Sequence, residues 1–145
     1  MSQVFITKNF SQTQTLGKKF AGNLKSGAIL ALYGDLGSGK TTFVQGLAKG
    51  LGIKHKIISP TFIIVRKYEI PKSLILNLKS FYHIDLYRLE NETDMKGLGL
   101  EEILADKSNI VAIEWPEKIE KFLPKNKIHL NFNYLENNER KIEIE

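Results

Sequence analysis

The chain has 145 residues, 42% apolar and 26% charged, which is the size of one domain and too apolar for a disordered polymer. It has no cysteine, so a disulfide framework, a thiolate metal site and a cysteine nucleophile are excluded, and three histidines without metal-like spacing argue against zinc. Lys+Arg is 21 against 16 Asp+Glu, a net +5, yet only Arg66, Arg88 and Arg140 are arginines. A spread lysine surplus either attracts anionic partners such as nucleotide, RNA or acidic protein, or is simply a solvated surface. The N-terminus carries no apolar run of signal-peptide type, and Ala28–Tyr33 is too short to cross a bilayer. A cytoplasmic location away from membranes is therefore expected.

Val4–Ile6 predicts a short strand. Ser11 has the chemistry of a helix cap, and Leu16, Phe20 and Leu24 recur at helical spacing after it. The continuous apolar run Ala28–Tyr33 predicts a strand buried on both faces. After a glycine-rich turn, Thr41–Leu51 predicts a helix with Phe43, Val44, Leu47 and Leu51 inward, stopped by Gly52. Phe62–Tyr68 is β-branched and aromatic, hence a strand. Pro71–Lys79 is a connection or the return arm of a hairpin. Phe81–Ile84 is a strand ending at Asp85, Leu100–Ala105 a short helix, and Ile110–Ile113 a second buried strand ending at Glu114. Lys118–Phe122 forms one or two helical turns, and the alternations Ile128-Leu130-Phe132 and Ile142-Ile144 are half-exposed strands. Strands interleaved with short helices predict an α/β domain over 1–145, with a mixed, mostly parallel central sheet flanked by helices.

Residues Gly34-Asp-Leu-Gly-Ser-Gly39-Lys40-Thr41 fit G-x-x-x-x-G-K-[ST]. Glycines let successive backbone N–H groups curl around a phosphate, and the positive end of the following helix points at the same place. Lys40 is the cation for the outer phosphates, and the Thr41 hydroxyl is a hard oxygen suited to magnesium. A chance match is the competing explanation, but a buried-type strand before the motif and an amphipathic helix after it are the context the motif requires. Gly37, Ser38, Gly39, Lys40, Thr41 and Thr42 are thus the nucleotide-binding candidates.

Hydrolysis needs more, namely a carboxylate near the metal and an oriented water. Two apolar runs end in acids, Asp85 and Glu114, and the C-terminal ends of parallel strands gather beside such a loop. Either acid suits the metal or its water shell; otherwise it caps a turn. Thr61, in Ser59-Pro60-Thr61-Phe62, is either a γ-phosphate sensor or part of a rigid turn. Arg88 is an arginine finger in cis, a partner contact or a surface residue. Trp115 is core, lid or docking residue. His83 shares a strand face with Asp85 and reads first as a core histidine.

The ordered set of the phosphate loop through Phe43, Ser59-Pro-Thr-Phe62, His83-Ile-Asp-Leu-Tyr-Arg-Leu89, Leu98-Gly-Leu-Glu-Glu102 and Ile113-Glu-Trp-Pro-Glu117 closely resembles the bacterial TsaE family, formerly YjeE. The resemblance runs from about Ser11 to Pro124. It implies a P-loop ATPase that works with a TsaD-like transferase and a TsaB-like partner. That complex forms threonylcarbamoyladenosine (t6A) beside the anticodon of tRNAs reading codons that begin with A. It further implies ATP and Mg²⁺ as cofactors, with Lys40, Thr41 and Thr42 on phosphates and metal, Glu114 as a magnesium-side acid and Asp85 as required for hydrolysis. Contact with tRNA would then be indirect, through the complex.

Only Arg88 of the three arginines lies near a site motif in the sequence. A missing arginine finger costs about 10³–10⁵ in rate. Weak hydrolysis alone and stimulation in complex are therefore expected. The rivals are a small P-loop kinase, for which an arginine-rich lid is lacking, and a nucleotide-gated binding module with little catalysis. A signalling GTPase would need a guanine-reading Asp that Asn126-Lys127-Ile128-His129 does not supply. Phe10–Thr15 is the candidate adenine segment.

Overall fold

The apolar run at Ala28–Tyr33 forms the middle of a seven-stranded sheet. The computed structural model describes residues 2–58, 65–71, 77–90, 92–95 and 97–145. In chain order the elements are β1 (Gln3–Thr7), α1 (Phe10–Ala21), β2 (Ile29–Tyr33), α2 (Lys40–Gly50), β3 (Val65–Glu69), β4 (Ser80–Asp85), α3 (Leu100–Ala105), β5 (Asn109–Glu114), β6 (Ile128–Tyr134) and β7 (Arg140–Ile144). Short 3₁₀ segments occupy Glu92–Met95 and Pro116–Phe122.

The strand order is β1-β7-β6-β2-β5-β4-β3. The four central strands, β6, β2, β5 and β4, run parallel, while β3 at one edge and β7 and β1 at the other pair antiparallel to their neighbours. This is the mixed sheet expected, with its parallel part in the middle. Both faces are covered there. Leu30, Leu32, Ile110, Ala112, Leu130 and Phe132 pack towards α1 and α2. Ile29, Ala31, Ile84, Val111 and Ile113 pack with Leu100, Ile119 and Leu123 on the other side. Burial on both sides explains why β2 and β5 read as unbroken apolar runs, each large side chain contributing about 1.5–3 kcal/mol.

The first helix departs from its sequence reading. Asn9, not Ser11, is the cap: its backbone is extended, and its side-chain oxygen accepts from the Gln12 N–H at 2.8 Å. The Gln12 side chain accepts in turn from the Lys8 N–H at 2.8 Å, so the helix start is tied from both directions. Ser11 falls inside the first turn. Leu24 lies beyond the helix but is buried in the core.

Helix α2 is held at close range by α1. A Cβ on Gly46 would stand 1.9 Å from the Gln14 carbonyl oxygen, and one on Gly17 2.2 Å from that of Phe43. Only backbone without side chains fits at these crossings, which pins α2 beneath the loop that precedes it. Gly52 ends α2 in the left-handed conformation (φ +83°), as its position in the sequence implies. The strand expected at Phe62–Tyr68 is found at Val65–Glu69, its first three residues lying outside the described ones. Pro71–Lys79 falls in the connection of the β3–β4 hairpin, closed by Ile70 N–H donating to the Lys79 carbonyl at 2.9 Å. The return arm is β4 itself. No helix among the described residues is long and apolar enough to cross a membrane.

Candidate nucleotide site

The loop Gly34–Gly39 leaves the C-terminal end of β2 and enters α2 at Lys40. Gly39 takes φ +103°, a conformation that side chains rarely adopt, and no side chain caps the helix start. The first N–H groups of α2 are therefore left to face a cleft of about 330 Å³. Gly37, Gly39, Lys40, Thr41 and Thr42 line it, together with Asp85 and Glu114. Ser38 is buried beside them, its hydroxyl without a hydrogen-bond partner.

Register brings the two acids together. Asp85 and Glu114 are paired neighbours at the ends of parallel strands β4 and β5, and Leu32 of β2 pairs with Glu114 on its other side. Glu114 is 3% exposed. The Thr41 hydroxyl donates to its carboxylate, with Oγ1 3.0 Å from both oxygens. His83, one pleat before Asp85, is fully buried, and its Nε2 lies 2.5 Å from Glu114 Oε2. With Glu114 ionised, Nε2–H is the donor. The buried Nδ1 has no hydrogen-bond partner among the described residues. His83 is thus in the core, as first read, but it also grips the site acid. Asp85 is likewise buried, and its Oδ1 accepts from the Tyr87 N–H at 3.0 Å.

Lys40 is 4% exposed, and its ammonium donates to the Gly34 carbonyl and sits 3.9 Å from the centre of the Trp115 ring. Burial pushes its pKa below the ordinary lysine value, while Glu114, Glu117, Asp85 and Asp35 pull it back up. Trp115 holds this position from a left-handed backbone (φ +60°), uncommon for a bulky residue, and packs 5.2 Å from Tyr87. Lys118 secures the same turn by donating to the Tyr87 and Leu89 carbonyls at 2.6 and 2.7 Å.

Thr61 lies outside the described residues. Phe10–Thr15 does not line the cleft: Thr13 meets Thr7 hydroxyl to hydroxyl at 2.7 Å, and Gln14 bonds Gln45 at 3.0 Å. Of the three readings open for Arg88, its place in the lining favours a role at the site, and Arg140 lines the cleft too, although in the sequence only Arg88 lies near a site motif. The two late strands fold back beside the loop and carry Arg140 with them. Its signal was present in the sequence: Arg140 precedes Ile142 and Ile144 at strand alternation, a charge on the inward phase. A larger groove of about 700 Å³ beside α3 is lined by apolar residues with Glu101 and Glu102 and has no cation among its described lining residues.

A glycine loop between a buried parallel strand and a helix, lysine and threonine at the helix start, and a carboxylate on the adjacent strand together define a nucleotide-binding protein of the P-loop type. A family model described as "Threonylcarbamoyl adenosine biosynthesis protein TsaE" matches residues 7–142. The chain belongs to this TsaE family. It is 38% identical over 136 residues to the tRNA threonylcarbamoyladenosine biosynthesis protein TsaE of Bacillus subtilis, covering 94% of this chain and 80% of that one. It is 44% identical over 111 residues to the protein of the same description from Borreliella burgdorferi, covering 77% and 76%. The crystal structure of Bacillus subtilis YdiB superposes with a TM-score of 0.79 at 30% identity, covering 99% of this chain and 84% of that one.

Proposed function

We propose that this protein is the ATP-binding and ATP-hydrolysing subunit of the machinery that forms t6A in tRNA, acting in the cytoplasm beside a TsaD-like transferase and a TsaB-like partner. The observation that carries the reading is the Thr41–Glu114 contact, the loop hydroxyl within 3.0 Å of both oxygens of a buried strand-end carboxylate. Two hard oxygen donors converging beside a phosphate loop suit Mg²⁺, which takes one or two protein oxygens, substrate phosphates and waters. Bound there, the ion neutralises charge on the outer phosphates. The backbone of Gly37–Gly39, with Lys40 and Thr42, cradles the phosphate chain. Thr41 and Glu114 hold the metal side, and His83 fixes the Glu114 carboxylate through the 2.5 Å bond. Asp85, its carboxylate positioned by the Tyr87 N–H and standing beside Glu114 at the strand ends, orients the attacking water.

The resting position of Lys40 supports weak activity in isolation. Its ammonium is engaged by the Gly34 carbonyl and the Trp115 ring, so binding has to draw it away from both. Docking that reshapes the Trp115–Tyr87 side would release it. The test is ATP turnover by the protein alone, then with the transferase pair, then with tRNA. Turnover is expected to rise in the complex and to fall to background with Lys40→Ala. Unaltered t6A formation by a complex carrying Lys40→Ala would refute the proposal.

A further inference from the structure

We propose that Arg140 is a second cation of the nucleotide site, binding the phosphate chain of a nucleoside triphosphate from the side opposite Glu114; this rests on the nucleotide-binding reading above. Its placement comes from strand pairing. Arg140 opens β7, paired with Tyr134 at the end of β6 and with Thr7 of β1. Because β6 runs parallel to β2, Arg140 lies at the same end of the sheet as Asp85 and Glu114. It stands two residues before buried Ile142, so it points to the face that carries α2.

The side chain then crosses to the loop. Its Cγ, Cδ and Nε pass 3.4–3.6 Å from where a Cβ on Gly39 would stand, and Gly39 has none. The guanidinium lies 4.4 Å from the centre of the Tyr134 ring. Stacking fixes the plane of the fork and reduces what is lost in ordering it on a ligand. A guanidinium carries five N–H donors. Here one reaches the Glu139 carbonyl at 3.4 Å, and no carboxylate pairs with the group among the described residues. A purely structural arginine would spend those donors on the protein. This one is held on an aromatic platform in the cleft that contains Lys40 and the first N–H groups of α2. All these groups favour the same ligand, a polyphosphate, over a peptide carboxylate or a bare base.

The experiment is calorimetric titration of the full chain with MgATP and AMP, for wild type, Arg140→Gln and Arg140→Lys, with thermal melts alongside. Arg140→Gln is expected to weaken MgATP about tenfold or more, to leave AMP little changed, and to flatten the fall of affinity with ionic strength. Arg140→Lys keeps the stem beside Gly39 and the charge but loses the stacked fork, so a several-fold loss is expected; it also serves if the glutamine variant does not fold. Wild-type MgATP affinity in either folded variant overturns the proposal. So does an equal loss for AMP and MgATP, which would place Arg140 at the nucleoside. If wild type itself binds no MgATP, the nucleotide reading fails first; if wild type binds and the variants match it, only Arg140 is removed from the site.

Discussion

Glu114→Gln tests the metal side of the site at one atom. The substitution keeps an oxygen to accept from Thr41 and nearly the same volume beside His83, so it removes charge more than packing. Its effect follows from geometry. A cation bound to the Thr41 hydroxyl at about 2.1 Å, on the side that faces Glu114, stands roughly 4 Å or less from the carboxylate, because that hydroxyl is 3.0 Å from both oxygens. A divalent ion and a unit negative charge at 4 Å attract by about 2 kcal/mol in bulk water and by several times that in a partly buried site, before desolvation is subtracted. Taking the water figure as the floor, MgATP affinity should fall at least about 30-fold.

Without metal the sign reverses. Glu114 then repels the triphosphate, so the variant should bind ATP in the presence of EDTA as well as wild type or better. Calorimetry with and without Mg²⁺ reads both arms, and a thermal melt checks that the His83 contact still supports the fold. Equal loss of ATP affinity with and without Mg²⁺ would mean that Glu114 supports the loop rather than the metal, and the magnesium assignment would be wrong.

Three further outcomes are expected. Trp115 is the chain's sole tryptophan and lies 3.9 Å from the Lys40 ammonium, so MgATP should change its emission and Lys40→Ala should abolish that response; an unchanged titration would refute the Lys40 assignment. Burial holds the Lys40 pKa below the ordinary value in the free protein, and a bound phosphate raises it, so binding takes up a proton and affinity falls as pH rises through the free-state pKa. Lys40→Arg should bind with a flat profile over that range, and a wild-type profile there would remove Lys40 as the titrating group. Gly46→Ala gains about 1 kcal/mol of helix propensity but drives a methyl to 1.9 Å from the Gln14 carbonyl oxygen; a net destabilisation of about 2 kcal/mol is expected by denaturant melting, and a midpoint at or above wild type would show that α1 and α2 can separate freely.

The parts of this fold that were legible in sequence are those set by local pattern. β2, β4, β5 and α3 stand where their apolar residues put them, since strands buried on both faces leave few alternatives. The phosphate loop and the two acids were equally legible, because a parallel sheet collects strand ends on one side. What escaped depends on pairing. Asn9 and Ser11 are both competent caps, and the choice was made by where β1 lets the chain turn. The grip of His83 on Glu114 needs the β4–β5 register, which sets His83 opposite Ala112 and Asp85 opposite Glu114. Arg140 needs the β6–β7 hairpin, some hundred residues beyond the loop it approaches.

Those pairings also change what the scarcity of arginine means. With three arginines in the chain and only Arg88 near a motif, the charge around the phosphates is completed either by Arg88 swinging in on docking or by a group that a partner supplies or organises. The sheet supplies Arg140 in cis, on the side of the loop away from both acids. Each flank of the loop then has its own task. The β5–β4 flank concentrates negative charge on Glu114 and Asp85, suited to a metal and a water. The β6–β7 flank is cationic and aromatic, suited to the phosphate chain. Lys40 sits between them, retained by Gly34 and Trp115. A partner acting on such a site need not donate an arginine. Moving the Trp115–Tyr87 turn would free a cation already present, and that is a conformational step of one side chain rather than the assembly of a composite site.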